Sequence, residues 1–225
     1  MAKHLQREID KLKKKILSIG AFVEESVQMA VRAVEQRDSV LADRVINGDV
    51  ELDQAEVDLE EDCLKILALH QPVAIDLRFI IAVLKMNNDL ERIGDLAVNI
   101  AERALLLNTQ VKVNTPYDLH RQAERTQWML HSSFDAMINL DSTLARKICG
   151  ADEEVDAINR EMYDLVKEAI RKDPQHLDTL IALLSVSRYL ERIADHATNI
   201  AEDVVYMTEG IIARHKGDDF IKGLS

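Results

Sequence analysis

The chain has 225 residues, 47% of them hydrophobic and 30% charged, with a formal net charge of -12. That charge argues against direct binding to DNA or to anionic lipid, both of which need clustered cations. Seven glycines, three prolines and 4% aromatic residues give a chain with ample apolar material and few breakers, which favours helices.

The N-terminal MAKHLQREIDKLKKK lacks the apolar core of a signal peptide. Leu5, Ile9, Leu12, Ile16, Ile19, Val23, Val27, Ala30 and Val34 then recur at steps of three and four, which predicts a helix over residues 4–37. Its basic cluster, Lys11 and Lys13 to Lys15, reads as a solvated face. Asp38 precedes a fresh periodic run and reads as the N-cap of a second helix from about Ser39 to His70. Asn47, Gly48 and Asp49 mark a kink in it. Gln71-Pro72 ends it, because proline cannot continue the hydrogen-bond ladder, and Pro72 then stands near the start of a third helix running to about Leu107. The longest apolar run, Phe79 to Leu84, is too short to span a bilayer. Asn108 to Pro116 loses the period and reads as a linker.

The layout then repeats. Pro116-Tyr117-Asp118 opens a helix to about Leu140, with the lone Trp128 as its core anchor. Asp141 and the residues after it match Asp38 and its successors at an offset of 103, as Asp152 to Asp156 match Asp49 to Asp53. Lys172-Asp173-Pro174 makes the second break, and from Leu177 the offset is 100. A sixth helix is expected to about Ala213, with a frayed tail from Gly217. The expected fold is therefore all-α: two tandem three-helix bundles related by pseudo-symmetry, one over residues 1–110 and one over 115–225. Cys63 and Cys149, outside any CxxC context, read as reduced, mostly buried thiols of a cytoplasmic protein.

The repeat is densest between Asn88 and Glu102, NDLERIGDLAVNIAE, and between Arg188 and Glu202, RYLERIADHATNIAE. Polar letters match as well as apolar ones: Glu91 with Glu191, Asp95 with Asp195, Asn99 with Asn199, Glu102 with Glu202. At about 100° per residue these groups share one stripe of a helix, while Ile93, Leu96, Ala97, Ile100 and Ala104 lie opposite. Two carboxylates at i and i+4 can share one hard cation, which prefers oxygen ligands. A solvated acidic face is the plainer reading of one such pair, and its duplication favours a site. Across the hairpin, Asp49 falls about level with Asp95 and Asp53 with Glu91; Asp152 and Asp156 face Asp195 and Glu191 in the same way. These four are expected as further ligands from the facing helix. His196 points about 100° away from Asp195, which suits a surface or partner role. No GxxxxGK(S/T), GxGxxG, HExxH, GxSxG or Glu-x-x-His pattern occurs.

His70 to Glu102 and Tyr189 to Gly210 resemble the signature of the PhoU family, and LADRVINGDVELDQAE resembles that family's second helix. The resemblance covers nearly the whole chain. It implies two tandem three-helix bundles and no catalysis. The implied role is repression of the phosphate-starvation response, through the ATPase subunit of the phosphate ABC transporter and the sensor histidine kinase. It implies metal, divalent or iron-type, at the E/DxxxD motifs, here Glu91 with Asp95 and Glu191 with Asp195. A homodimer is expected, reaching the inner face of the membrane only through partners. Glu56 and Glu60 are replaced by Asn159 and Tyr163 in the second copy, so the second site is expected to have fewer ligands. The competing reading is a metal-dependent helical enzyme using the paired carboxylates.

Overall fold

Six long α-helices make up the computed structural model, which describes residues 2–113 and 118–211. They are α1 (Ala2–Gln36), α2 (Ser39–His70), α3 (Ala74–Asn108), α4 (Leu119–Asn139), α5 (Ser142–Lys172) and α6 (Leu177–Glu209). A 3-10 turn, Pro174–His176, leads into α6, and no strand occurs among the described residues. The expected frayed tail and part of the linker lie outside the described residues.

The boundaries follow from local chemistry. Asp38 Oδ1 accepts from the backbone N–H of Val40 and Leu41, and Asp141 Oδ1 from that of Leu144, so α2 and α5 begin at capping aspartates. The residue before each cap, Arg37 and Leu140, is in the left-handed region at φ 55° and 51°. The cap N–H groups then reach back to Ala33 and Ala136, which is the six-to-one bond that closes a helix C-terminus. Both turns thus have the same backbone at an offset of 103. α3 begins two residues beyond Pro72, after Val73, which offers no side-chain cap. α2 runs on through Asn47, Gly48 and Asp49, which do not stop it, as expected.

The helices of each half pack on one another, and α3 lies along α6 in the most extensive contact of the molecule. This seam is antiparallel, since Lys85 meets Asp203 while Asp89 meets Asn199. α1 also crosses α4, where Gly20 makes room for Phe134: a β-carbon at Gly20 would lie 2.7 Å from that ring. Glu35 with His120 and Glu24 with His131 tie the same pair on the outside. The apolar core therefore runs without interruption from Leu12 and Val23 through Ile93 and Ile193 to Ile148 and Val166. The two three-helix halves are thus joined by one shared apolar core. α3 and α6 are sandwiched on several sides, so they bury far more side chains than α2 and α5, which each present one face to solvent.

Each hairpin is pinned by a polar contact that periodicity does not show. Asn87 donates to the Glu56 carbonyl at 3.0 Å, and Ser187 donates to Asn159 Oδ1 at 3.0 Å. These sites correspond under the repeat, and both set the register of the acid-bearing helices.

Candidate metal centre

The stripe has the phase expected of it. Ile93 and Ile193 are fully buried, whereas the Glu91 side chain is 23% exposed. It is not a freely solvated face, however. Glu91 and Glu191 are half-buried in the grooves between α2 and α3 and between α5 and α6, and Glu102 and Asn88 are exposed.

Asp49 faces Asp95, Asp152 faces Asp195 and Asp156 faces Glu191, the levels that counting back from the turns gives. In the second half, Asp156, Glu191 and Asp195 each offer an oxygen within 4.8 Å of the others. Asp152 extends this group. Burial, then Asp195, then Asp156 push its carboxyl up to about 6, and its Oδ1 is buried with no hydrogen-bond partner. The Thr198 hydroxyl works against that rise without reaching hydrogen-bond geometry. Asp195 is likewise pushed up to about 6, by desolvation and then by Glu191 and Asp156, although its residue surface is exposed. Glu191 is raised by desolvation and by Asp156. Four carboxylates thus repel one another in partial burial, a cost that a cation among them would relieve.

The first half is built from the same parts but is more open. Desolvation, Asp53 and Asp95 raise the Asp49 carboxyl, so Asp49 is level with Asp95 as expected. Glu91 is raised by desolvation and by Asp95, with a smaller push from Glu56. Arg92 reaches both stripe acids, at 3.3 Å from Glu91 and 3.4 Å from Asp95. Among the described residues, no three acids converge here as they do in the second half. The closer cluster is therefore in the half with fewer acids on its second helix.

The donor set fits a hard divalent or iron-type cation: oxygen ligands only, from two helices, including one buried oxygen without a partner. Asp156, Glu191, Asp195 and Asp152 would hold it in the second half, and Glu91, Asp95, Asp49 and Asp53 in the first. Such an ion would supply charge neutralisation across each hairpin.

Other residues differ from their sequence reading. His196 is largely buried and donates Nδ1–H to Asp89 across the seam at 2.8 Å, so it is not a surface residue. Asp89 carried no signal in the sequence, because its repeat partner is Tyr189. Trp128 is half-buried, with Arg125 over its ring at 4.4 Å. Cys63 and Cys149, by contrast, match their reading: both are free thiols, pushed up to about 12 by burial.

The fold is all-helical, with two three-helix repeats and paired acids facing each hairpin groove. The PhoU domain model matches residues 16–104 and again 119–204, and the chain belongs to the PhoU family. It is 35% identical over 212 residues to the "phosphate-specific transport system accessory protein PhoU homolog" of Aquifex aeolicus, covering 94% of this chain and 96% of that one. It is 32% identical to the Escherichia coli K12 protein PhoU, over 94% and 88% of the two chains. The crystal structure of PhoU from Pseudomonas aeruginosa superposes with a TM-score of 0.88 at 34% identity, over 92% of this chain and 99% of that one. The phosphate transport system regulatory protein PhoU from Streptococcus pneumoniae gives 0.81 at 30% identity, over 92% and 98%.

Proposed function

We propose that the protein is a regulator of phosphate transport that represses the phosphate-starvation response when phosphate is abundant. It acts by holding the ATPase subunit of a phosphate ABC transporter and a phosphate-sensing histidine kinase, with no turnover of its own. The observation that carries this reading is the family match over both repeats, together with relatives named as accessory proteins of the phosphate-specific transport system. No helix among the described residues is long and apolar enough to cross a membrane, so on this reading the protein reaches the transporter from the cytoplasm, as a homodimer. Two repeats in one chain can hold two partners together and raise the effective concentration of the second.

The test is a deletion strain carrying a starvation-promoter reporter, with pull-down of the ATPase subunit and the kinase. Promoter activity in abundant phosphate is expected on deletion, and normal repression refutes the regulator reading. Lost repression without binding to either partner would favour the metal-dependent enzyme instead.

The acid clusters are proposed as cation sites that stabilise the hairpins. Titration of chelator-treated protein with Mg²⁺, Mn²⁺, Zn²⁺ and Fe²⁺ should raise the melting temperature of wild type. It should leave unchanged a variant with Glu91 and Glu191 replaced by Gln and Asp95 and Asp195 by Asn. An ion at 100 times its Kd adds about 2.7 kcal/mol. An equal rise in both proteins would remove the clusters from consideration.

A further inference from the structure

α2 carries two apolar rows, each with a step of seven residues. Leu52, Leu59 and Ile66 are buried in the core. Two residues before each of them, and so about 200° round the helix, stand Val50, Val57 and Leu64. These face away from the core and are 73%, 47% and 53% exposed. A single exposed apolar side chain is ordinary. Three at heptad spacing along one line of a helix form the pattern against which a second helix seats its own side chains.

Positions three and four beyond an apolar residue lie beside it on the helix surface. After Val50 these are Asp53 and Gln54, and after Val57 they are Glu60 and Glu61. Glu61 is held by Lys65 at 3.0 Å, and Gln54 donates to Asp58 at 2.8 Å. Asp53 and Glu60 are exposed, and their side chains make no ion pair or hydrogen bond among the described residues.

The matching face of α5 is built differently on the same backbone. At the offset of 103, Glu153, Arg160 and Lys167 replace Val50, Val57 and Leu64, while Asp156 and Tyr163 replace Asp53 and Glu60. That face satisfies itself. Arg160 reaches Glu153 at 3.2 Å and Asp156 at 3.5 Å, and Lys167 lies 5.0 Å from the centre of the Tyr163 ring. The fold therefore does not require apolar residues at these positions, yet α2 keeps an apolar row there with two unpaired acids beside it.

The acids select the occupant. A second α2 laid along the row would set Asp53, Glu60 and Glu61 against acids of its own, and an anionic membrane would meet them with like charge. A helix with apolar residues seven apart and lysine or arginine between them complements both the row and the acids. We infer that the outward face of α2 docks an amphipathic basic helix of a partner protein, its apolar side chains seated among Val50, Val57 and Leu64 and its cations against Asp53 and Glu60. The inference rests on the partner-holding reading above and adds the place and the chemistry of the contact.

The probe is a fluorescently labelled peptide of about three heptads, with Leu at every seventh position, Lys and Arg between, and Ala elsewhere. It is compared with a scrambled peptide of the same composition and with a version carrying Glu in place of Lys and Arg. Binding to the full chain is read by anisotropy at ~0.15 M salt after chelator treatment. The patterned basic peptide should bind, and the other two about tenfold more weakly or not at all. Val57→Gln with Leu64→Gln, at exposed positions, should melt as wild type does and weaken binding about tenfold or more. Glu60→Gln should weaken it about threefold and reduce its salt dependence. Tyr163→Gln, an exposed aromatic on α5, should change it less than about twofold. Equal binding of the scrambled peptide, or no loss in the Val57 and Leu64 variant, would overturn the inference in favour of diffuse charge attraction. A dimer that this variant dissociates in sedimentation would assign the row to a second copy instead. In the pull-down, ATPase subunit or kinase captured equally by wild type and variant sinks the α2 face alone. Wild type that binds the peptide but captures neither protein sinks the partner-holding reading and leaves the docking face standing.

Discussion

The two hairpins solve one packing problem with different residues. In the first, Leu52 of α2 fills the space above Gly94 of α3, where a β-carbon would lie 2.2 Å from a Leu52 methyl. In the second, Val155 and Ala194 occupy the corresponding places, both buried. Leu with Gly and Val with Ala contain the same number of side-chain carbons, divided differently between the helices. The acids differ in the same spirit: Arg92 clasps Glu91 and Asp95 in the first half, while three carboxylates converge in the second. A diverged repeat can keep its backbone and its local volume while redistributing the groups that supply them.

The most damaging way to break this comparison is Gly94→Ala alone. Overpacking against Leu52 should cost about 1–3 kcal/mol in urea unfolding. Adding Leu52→Val transplants the second hairpin's solution and should restore most of that loss; a double mutant no more stable than Gly94→Ala would show that the two positions are not coupled.

A middle-sized effect separates the acid clusters. Asp152 and Asp195 titrate at about 6 in the fold, against about 4 in an unfolded chain. The fold therefore binds these protons more tightly than the unfolded chain. The contribution of these two groups to metal-free stability should be greatest below about pH 4 and fall as pH rises through about 6. Asp195→Asn should accordingly stabilise chelated protein at pH 7 by about 1 kcal/mol, discounted from the full linkage value because the residue is exposed. Glu91→Gln, beside Arg92, should give a smaller change. Thermal melts across pH 4–7 with chelator would decide, and a flat profile for wild type would contradict the raised values.

The register contacts come next. Asn87→Ala removes the bond to the Glu56 carbonyl and should cost about 1 kcal/mol, and Ser187→Ala a comparable or smaller amount. Smallest is Leu140→Gly, at φ 51°. Relief of left-handed strain, partly offset by added freedom in the unfolded chain, should give a gain below about 1 kcal/mol. Loss of stability would mean that the exposed Leu140 side chain contributes more packing than strain.

Helix number, the capping aspartates and the phase of the acid stripe were legible because each leaves a local periodic or positional trace. The level of Asp49 with Asp95 and of Asp156 with Glu191 followed from counting outward from the turns. The α3–α6 seam left no such trace. A helix buried on several sides shows a wide apolar arc whether its neighbours belong to its own half or the other. Asp89 was invisible for a related reason: it is a polar residue whose partners, His196 and Asn199, lie more than a hundred residues away. The closer convergence in the second half was not legible, because it depends on side-chain reach across each hairpin and not on the number of acids.

The antiparallel seam bears on how the chain must be made. On a ribosome, α1 to α3 emerge first, and α3 then carries an apolar flank whose cover, α6, is the final helix of the described fold to be synthesised. Nascent protein therefore carries a sticky surface without its mate while α4 and α5 are made. Contacts along the seam join residues more than a hundred positions apart, so loop closure is paid before they form. Early termination before α6 leaves a product with no native cover for that flank, a natural client for a chaperone.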